Sequence, residues 1–310
     1  MSEVVPFLQL MVTAMVPFIL AAQGTMLGGR AGIFNVAQEG VMVLGASVGF
    51  LVSLKAGGNL FGLVAAALAG AVFGLVLGWT TTRFRLDQFV IGLALFFAAT
   101  GLASLLYKVV IEVTLTPPLI NTLQDWKIPL LGDIPVLGPV LFRQDGMVYF
   151  AFVLSGALYW LLYRTNLGLK LRSVGENPKA ADSLGVNVAR TRIVTATLGS
   201  ALMALAGAYL PMVYTGTYTE GIVAGRGWLA IALAFFGGWR PQFIVAGAAF
   251  FAGMEVLALR VQVAGVDVPH QFVSMLPYVA TLLVMMFAFR WARIPGFLGR
   301  NYDRESRTAH

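Results

Sequence analysis

Long apolar stretches separated by short polar segments make up most of this chain. Five stretches reach or approach the roughly 20 residues that a helix needs to cross a bilayer, and four are shorter. The longer ones are Val5–Gly24, Leu60–Thr80, Gln88–Tyr107, Thr191–Pro211 and Gln271–Ala288, and the shorter ones are Val41–Leu54, Met147–Tyr163, Trp228–Gly238 and Pro241–Leu257. The pattern predicts a single all-α, polytopic transmembrane domain over residues 1–310, with about nine helices and a range of roughly eight to ten.

Composition places the chain in the membrane class. Hydrophobic residues make up 58% and charged residues 11% of the 310 positions, and the mean hydropathy is +0.82. A soluble domain carries about 25% charged residues. The first apolar stretch has no Lys or Arg ahead of it and is too long for a signal-peptide core, so we expect it to remain as a helix.

The basic residues divide unevenly between the two sides that alternating helices would create. If the polar segment 164–192 is cytoplasmic, 15 of the 21 basic residues fall on its side and 6 on the other. This is the direction of the positive-inside rule. The N-terminus is then predicted outside, segment 110–146 is an external loop, and the basic tail 290–310 is cytoplasmic. Anionic lipid at the inner face accounts for the net charge of +7, so nucleic-acid binding is not invoked.

Several chemistries are excluded by residue counts. The chain has no cysteine and only two histidines, His270 and His310, so thiolate metal sites and a His-Glu-x-x-His zinc site are impossible. There is no Gly-x-Ser-x-Gly elbow and no phosphate-binding loop. The chain is therefore not predicted to be an enzyme, and we expect no metal or cofactor on it. If ATP is used, another chain binds it.

The polar segment 164–192 contains the start and stop signals of a short helix. Asn177 suits the N-cap, Pro178 the first helical position and Gly185 the left-handed stop, which specifies about two turns. Glu176 lies at the positive end of the helix dipole. Three residues are predicted to form one small apolar face that could enter a groove on another protein: Ala180, Ala181 and Leu184. The alternative is a capped turn joining two membrane helices.

Two glycine-rich stretches do not resemble ordinary spans. Gly28–Gly40 and Gly216–Gly227 each follow a long helix and carry Gly-Arg flanked by another glycine, and the two preceding helices run in opposite directions. We predict broken or re-entrant helices related as an inverted repeat, an arrangement in which transporters often place substrate sites. The alternative is that the glycines only allow close helix packing, which we expect of Gly70, Gly74 and Gly78.

Polar residues inside the first stretch favour a site over packing. Asn35, Gln38 and Glu39 would share one face of a helix. An intramembrane carboxylate that faces lipid is costly, so Glu39 should face the bundle interior or water, or pair with Arg30. For Glu255, the other acid within an apolar span, Arg260 is the expected partner.

Three motifs in order resemble a known family. The stretch Arg30–Ala46 is similar to the N-terminal signature of permeases in the branched-chain amino acid and simple sugar group of ABC importers, and most of all to the nucleoside-uptake branch associated with basic membrane lipoproteins. It departs from that signature at Val36 and Ala37. The run Val174–Ala181 with Gly185 resembles the family's cytoplasmic coupling segment, and the region 225–241 resembles its second-half block.

The resemblance implies a permease subunit in a bacterial-type inner or plasma membrane. It would work with an ATPase, a second permease in a heterodimer, and a periplasmic or lipoprotein receptor, and import a nucleoside or, as second choice, a simple sugar. Coupling to the ATPase would involve Gly175, Glu176, Asn177, Pro178, Ala180, Ala181, Leu184 and Gly185. The substrate pathway would involve Phe34, Asn35, Gln38, Glu39, Tyr214 and Tyr218. Ala181→Arg is then expected to uncouple transport without preventing membrane insertion.

Two other classes stay open at this point. Inverted repeats and broken helices also occur in proton-coupled secondary transporters, in which Glu39, Glu255 or Asp87 would be the proton site. A channel or scaffold is the third class, although it assigns no task to the capped segment. An ABC permease alone should transport nothing, whereas a proton-coupled carrier should work without ATP or partners.

Overall fold

The computed structural model describes residues 4–111, 117–129, 131–132, 134–263, 270–288 and 294–303. The fold is nearly all-α, as predicted, with two short strands beside the helices. The helices are α1 (Val4–Arg30), α2 (Gln38–Ala56), α3 (Asn59–Arg83), α4 (Gln88–Val110), α5 (Leu137–Leu141), α6 (Gly146–Arg164), α7 (Asn166–Glu176), α8 (Pro178–Ser183), α9 (Val188–Leu210), α10 (Arg226–Phe236), α11 (Pro241–Val263) and α12 (His270–Ala288). A π-helical turn, Pro211–Thr215, extends α9.

Seven helices in the described part of the chain are long and apolar enough to cross a membrane: α1, α2, α3, α4, α6, α9 with its π-helical turn, and α11. Helix α10 is apolar but has only 11 residues. Helix α12 has 19 residues, and the side chains of several lie outside the description. Seven long spans with α10 and α12 agree with the prediction of about nine helices.

Helices α1–α4 and helices α9–α12 make equivalent contacts. Helix α3 packs against α9 and α4 against α2, and correspondingly α11 packs against α1 and α12 against α10. Helices α1 and α9 cross between the halves, and they are antiparallel because Arg192, early in α9, donates to the carbonyl of Ala31, just beyond α1, at 3.2 Å. The correspondence of α1–α4 with α9–α12 is the predicted inverted repeat.

Small residues allow the central helices to approach closely. A Cβ atom on Gly70 or Gly74 of α3 would overlap the carbonyl oxygen of Ser200 or Ala196 on α9. The same holds for Gly45 of α2 against Ala204. The predicted packing role of the four-residue glycine spacing is therefore confirmed, and these contacts bring backbone against backbone where a side chain would separate the helices.

The two ends of the bundle differ in charge. Arg30, Arg83 and Arg164 end α1, α3 and α6, and Arg240 precedes α11; we call this the basic end. The opposite end carries a small hairpin in which β1 (Asp125–Lys127) pairs antiparallel with β2 (Arg143–Asp145). This hairpin lies within the predicted loop 110–146, and its two strands are the β-structure of the described residues.

Candidate functional site at the junction of the two chain breaks

Both predicted interruptions are present. The first break, residues 31–37, separates α1 from α2, and the second break, residues 216–225, separates the π-helical turn from α10. Glycines take left-handed backbone angles in each of them, with φ of +86° at Gly32 and +85° at Gly221. A helix could not continue through such residues, so the sequence signal and the backbone agree.

The start of α10 is capped by a carboxylate from the other half of the chain. The two oxygens of Glu39, on the first turn of α2, accept hydrogen bonds from the backbone N–H groups of Gly225, at 2.9 Å, and Gly227, at 2.7 Å. The first N–H groups of a helix have no partner inside it and form its positive pole. Glu39 satisfies two of them and neutralises that pole.

The turn that ends α10 is held by a cation from the same region. The Arg30 guanidinium donates to the carbonyl oxygens of Trp239, at 2.8 Å, and Gly238, at 3.4 Å, directly beyond the end of α10. Gly29 permits this contact, because a Cβ there would overlap the Trp239 ring. The short helix thus lies between an acid at its positive pole and a base at its negative pole, both in the favourable sense.

These contacts decide between the alternatives for Glu39 and correct one predicted ion pair. Glu39 is buried in the bundle interior, as one alternative predicted, and does not pair with Arg30, because the two residues bind at opposite ends of α10, which is 11 residues long. Glu255 pairs with Arg226 of α10, not with Arg260 on its own helix. Arg260 lies over the ring of Phe7, 5.2 Å from its centroid. Helical spacing identifies possible neighbours, but packing between helices brings a nearer partner.

The predicted single polar face of Asn35, Gln38 and Glu39 is also wrong. Helix α2 begins only at Gln38, so Asn35 lies in the first break and its side chain donates to Ser200 of α9 at 2.9 Å. Gln38 accepts from Thr25 of α1. The three side chains therefore contact three different helices, α9, α1 and α10, and hold the first break in the middle of the bundle.

The aromatic candidates are spread over the molecule. Phe34 in the first break meets Phe235 of α10 edge to face, with ring centroids 6.2 Å apart. Tyr218 is buried against Tyr107 of α4, at 5.0 Å between centroids, whereas Tyr214 in the π-helical turn is exposed. Phe34 lies near the basic end and the two tyrosines near the opposite end, so the structure does not bring them together.

The short helix of the polar segment forms as predicted, with slightly different bounds. Helix α8 covers Pro178–Ser183, and the Asn177 side chain accepts from the N–H of Ala180 at 3.0 Å. Gly185 has φ of +80°. The N–H of Val186 closes the helix on the carbonyl of Ala181 at 3.0 Å, which is the bond of a left-handed helix stop.

The predicted apolar face of α8 is wrong in one residue. Ala181 is 1% exposed and packs against Val174 and Val188 of the same chain. Leu184 is 85% exposed, and Ala180 is exposed as well. Ala180 and Leu184 therefore form the outer surface, and Ala181 anchors α8 to α7 and α9. We now expect Ala181→Arg to disrupt folding of this segment, not to uncouple a folded protein.

The polar segment touches the first break directly. A Cβ on Gly175 of α7 would overlap the carbonyl oxygen of Arg30, so the two backbones are in contact. A strap, residues 294–303, reinforces the link: Phe297 N–H donates to Gly175 at 2.8 Å, and Gly299 N–H donates to Gly32 at 3.2 Å. Tyr302 donates to Asp182 of α8 at 3.0 Å. A displacement of α8 would therefore also displace the residues in contact with α7 and the strap, Arg30 and Gly32.

The strap and the double capping of α10 were missed by sequence reasoning. From the sequence, the strap residues were predicted only as part of a basic tail. Arg30 was predicted to lie on the cytoplasmic side and was considered as a partner for Glu39. The one signal available was the recurrence of Gly-Arg in both breaks, which correctly indicated that the two regions are related but not that they are in contact.

Comparison with known proteins decides the family. The sequence profile described as branched-chain amino acid transport system / permease component matches residues 7–288. The chain belongs to this permease family. It is a membrane permease subunit of the ABC transporter type and not an enzyme, as the residue counts and motifs predicted.

Three relatives match over nearly their whole lengths. The guanosine ABC transporter permease protein NupQ of Bacillus subtilis is 32% identical, covering 92% of this chain and 89% of that protein. The nucleoside ABC transporter permease protein NupC of Lactococcus lactis is 33% identical, covering 97% and 98%. TsgC13 of Haloferax volcanii, which is named as a putative glucose ABC transporter permease protein, is 29% identical, covering 98% and 99%.

One solved structure shares the fold. It is described as an inward-facing conformation of a metal-chelate type ABC transporter, and it aligns with a TM-score of 0.52 at 16% identity, covering 91% of this chain and 85% of that one. The likeness supports the permease fold of the bundle. Within the described residues of our chain, no group of three or more acids and histidines could hold a metal ion.

Proposed function

We propose that this permease forms part of an ATP-driven importer for nucleosides. The choice of substrate rests on the sequence identity of 32% to 33% to two nucleoside permeases across nearly the full chain. The first break, whose signature resembles that branch, is almost entirely buried within the bundle and supports the same choice. A sugar is the second candidate, because the Haloferax relative is named as a glucose permease.

The partners in this proposal follow from what the chain lacks and exposes. It has no phosphate-binding loop of its own, so a separate ATPase must use the ATP, and no cofactor is assigned to this chain. Helix α8 with exposed Leu184 and Ala180 is the ATPase contact. A second, different permease completes the pathway, and a periplasmic or lipoprotein receptor delivers the substrate. Membrane lipid surrounds the assembly.

The coupling mechanism follows the contacts from α8 inward. A shift of α8 displaces α7, whose Gly175 lies against Arg30, and Arg30 binds the end of α10. Glu39 at the other end of α10 ties the same movement to α2. ATP binding to the partner would favour one position of this connected unit over another, and differential contact is what a ligand needs to shift a conformational equilibrium.

A proton-coupled carrier is less well supported. Both oxygens of Glu39 accept backbone hydrogen bonds, Glu255 is paired with Arg226, and Asp87 is the N-cap of α4, where it accepts from Val90 at 2.9 Å. Each of the three acids thus has a structural partner, and none of them is an unpartnered carboxylate in the described part of the chain.

Uptake by reconstituted complexes tests the function. The chain with its ATPase, second permease and receptor in proteoliposomes should accumulate labelled guanosine only when ATP is supplied to the ATPase. The permease alone should transport nothing. Uptake without ATP or partners would establish the carrier alternative, and ATP-dependent uptake of glucose or leucine without guanosine would overturn the substrate.

Leu184→Arg tests the coupling surface. The variant should keep normal amounts of assembled permease but lose about 90% or more of receptor-stimulated ATPase activity, because a buried unpaired charge at a docking contact costs several kcal/mol. Leu167→Arg, at an exposed leucine of α7, is the matched control and should retain activity. Normal coupling in Leu184→Arg, or equal loss in both variants, would argue against α8 as the docking element.

The proposed orientation has the N-terminus outside and the basic end with the C-terminus in the cytoplasm. Because the chain contains no cysteine, single-cysteine variants can be labelled without background. In intact cells an impermeant thiol reagent should label Leu119→Cys, an exposed position in the 110–146 loop, and should not label Leu184→Cys. The reverse pattern would invert the topology.

A further inference from the structure

Three arginines from different parts of the chain come together at the basic end, beside the last turn of α6. The Arg30 guanidinium donates to the Tyr163 hydroxyl at 3.2 Å, and the Arg172 guanidinium of α7 lies over the same tyrosine ring, 5.0 Å from its centroid. Arg240 directly follows Trp239, whose carbonyl accepts from Arg30. We call Arg30, Arg172 and Arg240 the arginine cluster.

The arginine cluster has an excess of positive charge. Arg172 and Arg240 are near enough for their charges to repel the Arg30 guanidinium, and Glu176 is the carboxylate that attracts it. Glu176 also accepts from the N–H of Gly296 in the strap, at 3.2 Å. Among the described residues, the guanidinium groups of Arg172 and Arg240 have no hydrogen bond and no ion pair, although each lies over an aromatic ring. Three cations against one carboxylate leave two positive charges unbalanced.

Exposed aromatic side chains lie beside the cluster on two membrane-spanning helices. On α6, the rings of Tyr159 and Tyr163 are 5.3 Å apart between centroids, and the neighbouring Trp160 is 62% exposed. On α11, the Arg240 guanidinium lies 5.9 Å from the centroid of the Phe243 ring, and Phe243 is 49% exposed. Tryptophan and tyrosine at the end of a span are typical of the level of the lipid headgroups.

The apolar surface continues from these rings away from the basic end. Val153, two turns before Trp160 on α6, is exposed, and so is Phe250, two turns after Phe243 on α11. Residues seven apart lie on the same side of a helix, and α6 packs against α11. Two apolar strips therefore run along neighbouring spans, and both begin at the arginine cluster.

An anionic phospholipid satisfies both parts of this surface. Arginine binds phosphate oxygens with parallel hydrogen bonds, and basic sites between spans on the cytoplasmic side suit anionic headgroups. The acyl chains of the same molecule would cover the apolar strips. Free phosphate would leave the strips without a partner. A contact from the ATPase fits less well, because Trp160 and Phe243 belong to helices that cross the bilayer.

We propose that the arginine cluster binds the headgroup of an anionic phospholipid of the inner leaflet, with its acyl chains along α6 and α11. The phosphate offsets the repulsion that Arg172 and Arg240 exert on Arg30, and so stabilises the contact of Arg30 with the Trp239 carbonyl. The lipid thereby supports the coupling route through α10. The leaflet rests on the proposed orientation, whereas binding at the cluster does not.

Lipid addition to the purified complex in detergent tests the chemistry of the ligand. Phosphatidylglycerol should raise the thermal denaturation midpoint by roughly 2–4 °C, the effect of a moderately stabilising ligand. Phosphatidylcholine with the same acyl chains should raise it much less, and inorganic phosphate at the same concentration should leave it unchanged. An equal shift with phosphatidylcholine would overturn the role of charge, and an equal shift with inorganic phosphate would overturn the lipid.

Native mass spectrometry of variants tests the location. Arg240→Gln removes an exposed charge and should weaken phosphatidylglycerol binding about tenfold, the fold-change for one charged hydrogen bond. Arg83→Gln, at an exposed arginine in the last turn of α3, is the matched control and should bind as the wild type does. Equal loss in both variants would mean general attraction to the basic end. Loss of the lipid when the ATPase joins the two permeases would assign the cluster to the ATPase.

Transport tests the consequence for coupling. Guanosine uptake by the wild-type complex should fall when phosphatidylglycerol in the proteoliposomes is replaced by phosphatidylcholine. Arg240→Gln should show reduced uptake that no longer depends on this replacement, and Arg83→Gln should behave as the wild type. Equal lipid dependence in the wild type and Arg240→Gln would overturn the effect on coupling. Absence of guanosine uptake with intact lipid binding would overturn the proposed function and leave the lipid site in place.

Discussion

The two breaks occupy corresponding places in the two halves but are held very differently. The first break, residues 31–37, is fastened on all sides: Asn35 binds Ser200, Phe34 N–H binds Gln88, and Gly32 binds the strap. The second break, residues 216–225, is more exposed and borders a cavity. The first break is thus a tightly packed junction, whereas the second has open space beside it.

The difference agrees with the proposed coupling route, which runs from α8 through the first break, because a break that transmits movement must be stiff. Glycine suits both breaks, because it allows close packing in the first and backbone freedom in the second. The link between them is α10, capped by Glu39 and Arg30 from the first region. Three predictions test this contrast.

Gly227→Val should have the largest effect. A Cβ at this position would lie 2.6 Å from the Glu39 carboxylate and 2.7 Å from the Glu39 Cα atom, so α10 would have to move away from α2. Overpacking of this kind costs about 1–3 kcal/mol or more. We expect loss of most folded complex and of guanosine uptake, measured by size-exclusion yield and transport. Gly101→Val in α4, where a Cβ would meet no described atom within 4 Å, should retain both.

Glu39→Gln should have an intermediate effect. The amide keeps one acceptor oxygen but directs its NH₂ group towards a backbone N–H, and the charge at the helix pole is lost. Removing a partner from a buried group costs about 1–3 kcal/mol, so the thermal denaturation midpoint of the purified complex should fall, and Glu39→Ala should lower it further. Glu220→Gln, at an exposed acid of the second break, is the control. An unchanged midpoint in Glu39→Gln would contradict the capping role.

The pair Gly32→Ala and Gly221→Ala should give the smallest and most informative difference. Their φ angles are +86° and +85°, so the conformational cost of alanine, about 1–2 kcal/mol, is shared. Only the surroundings differ: a Cβ on Gly32 would lie 2.8 Å from Arg192 and 2.9 Å from the Phe297 carbonyl, whereas no atom of the described residues lies within 4 Å of one on Gly221. Gly32→Ala should therefore lower the free energy of unfolding by about 1 kcal/mol more than Gly221→Ala does. Equal midpoints would mean that the first break is no stiffer than the second.

Much of the fold could be predicted because it depends on local signals. Apolar length predicted the spans, glycine clusters the breaks, and Asn177 and Gly185 the ends of the short helix, since caps act within a few residues. The site was predicted less well. Asn35 was assigned to a helix that starts three residues later, and Ala181 to an outer face that it does not share. Both errors concern the direction in which a side chain faces, and this depends on the elements that pack against it.

The sequence by itself determined the membrane class, the family, the two related breaks and the capped segment near the basic end. Only the tertiary structure decided that Glu39 and Arg30 bind opposite ends of α10, that Arg226 is the partner of Glu255, and that the strap joins α8 to the first break. The physical reason is that helix periodicity relates residues within about two turns. Partners nearly 200 residues apart are chosen by which helices pack together and by the need to satisfy exposed helix ends in the membrane.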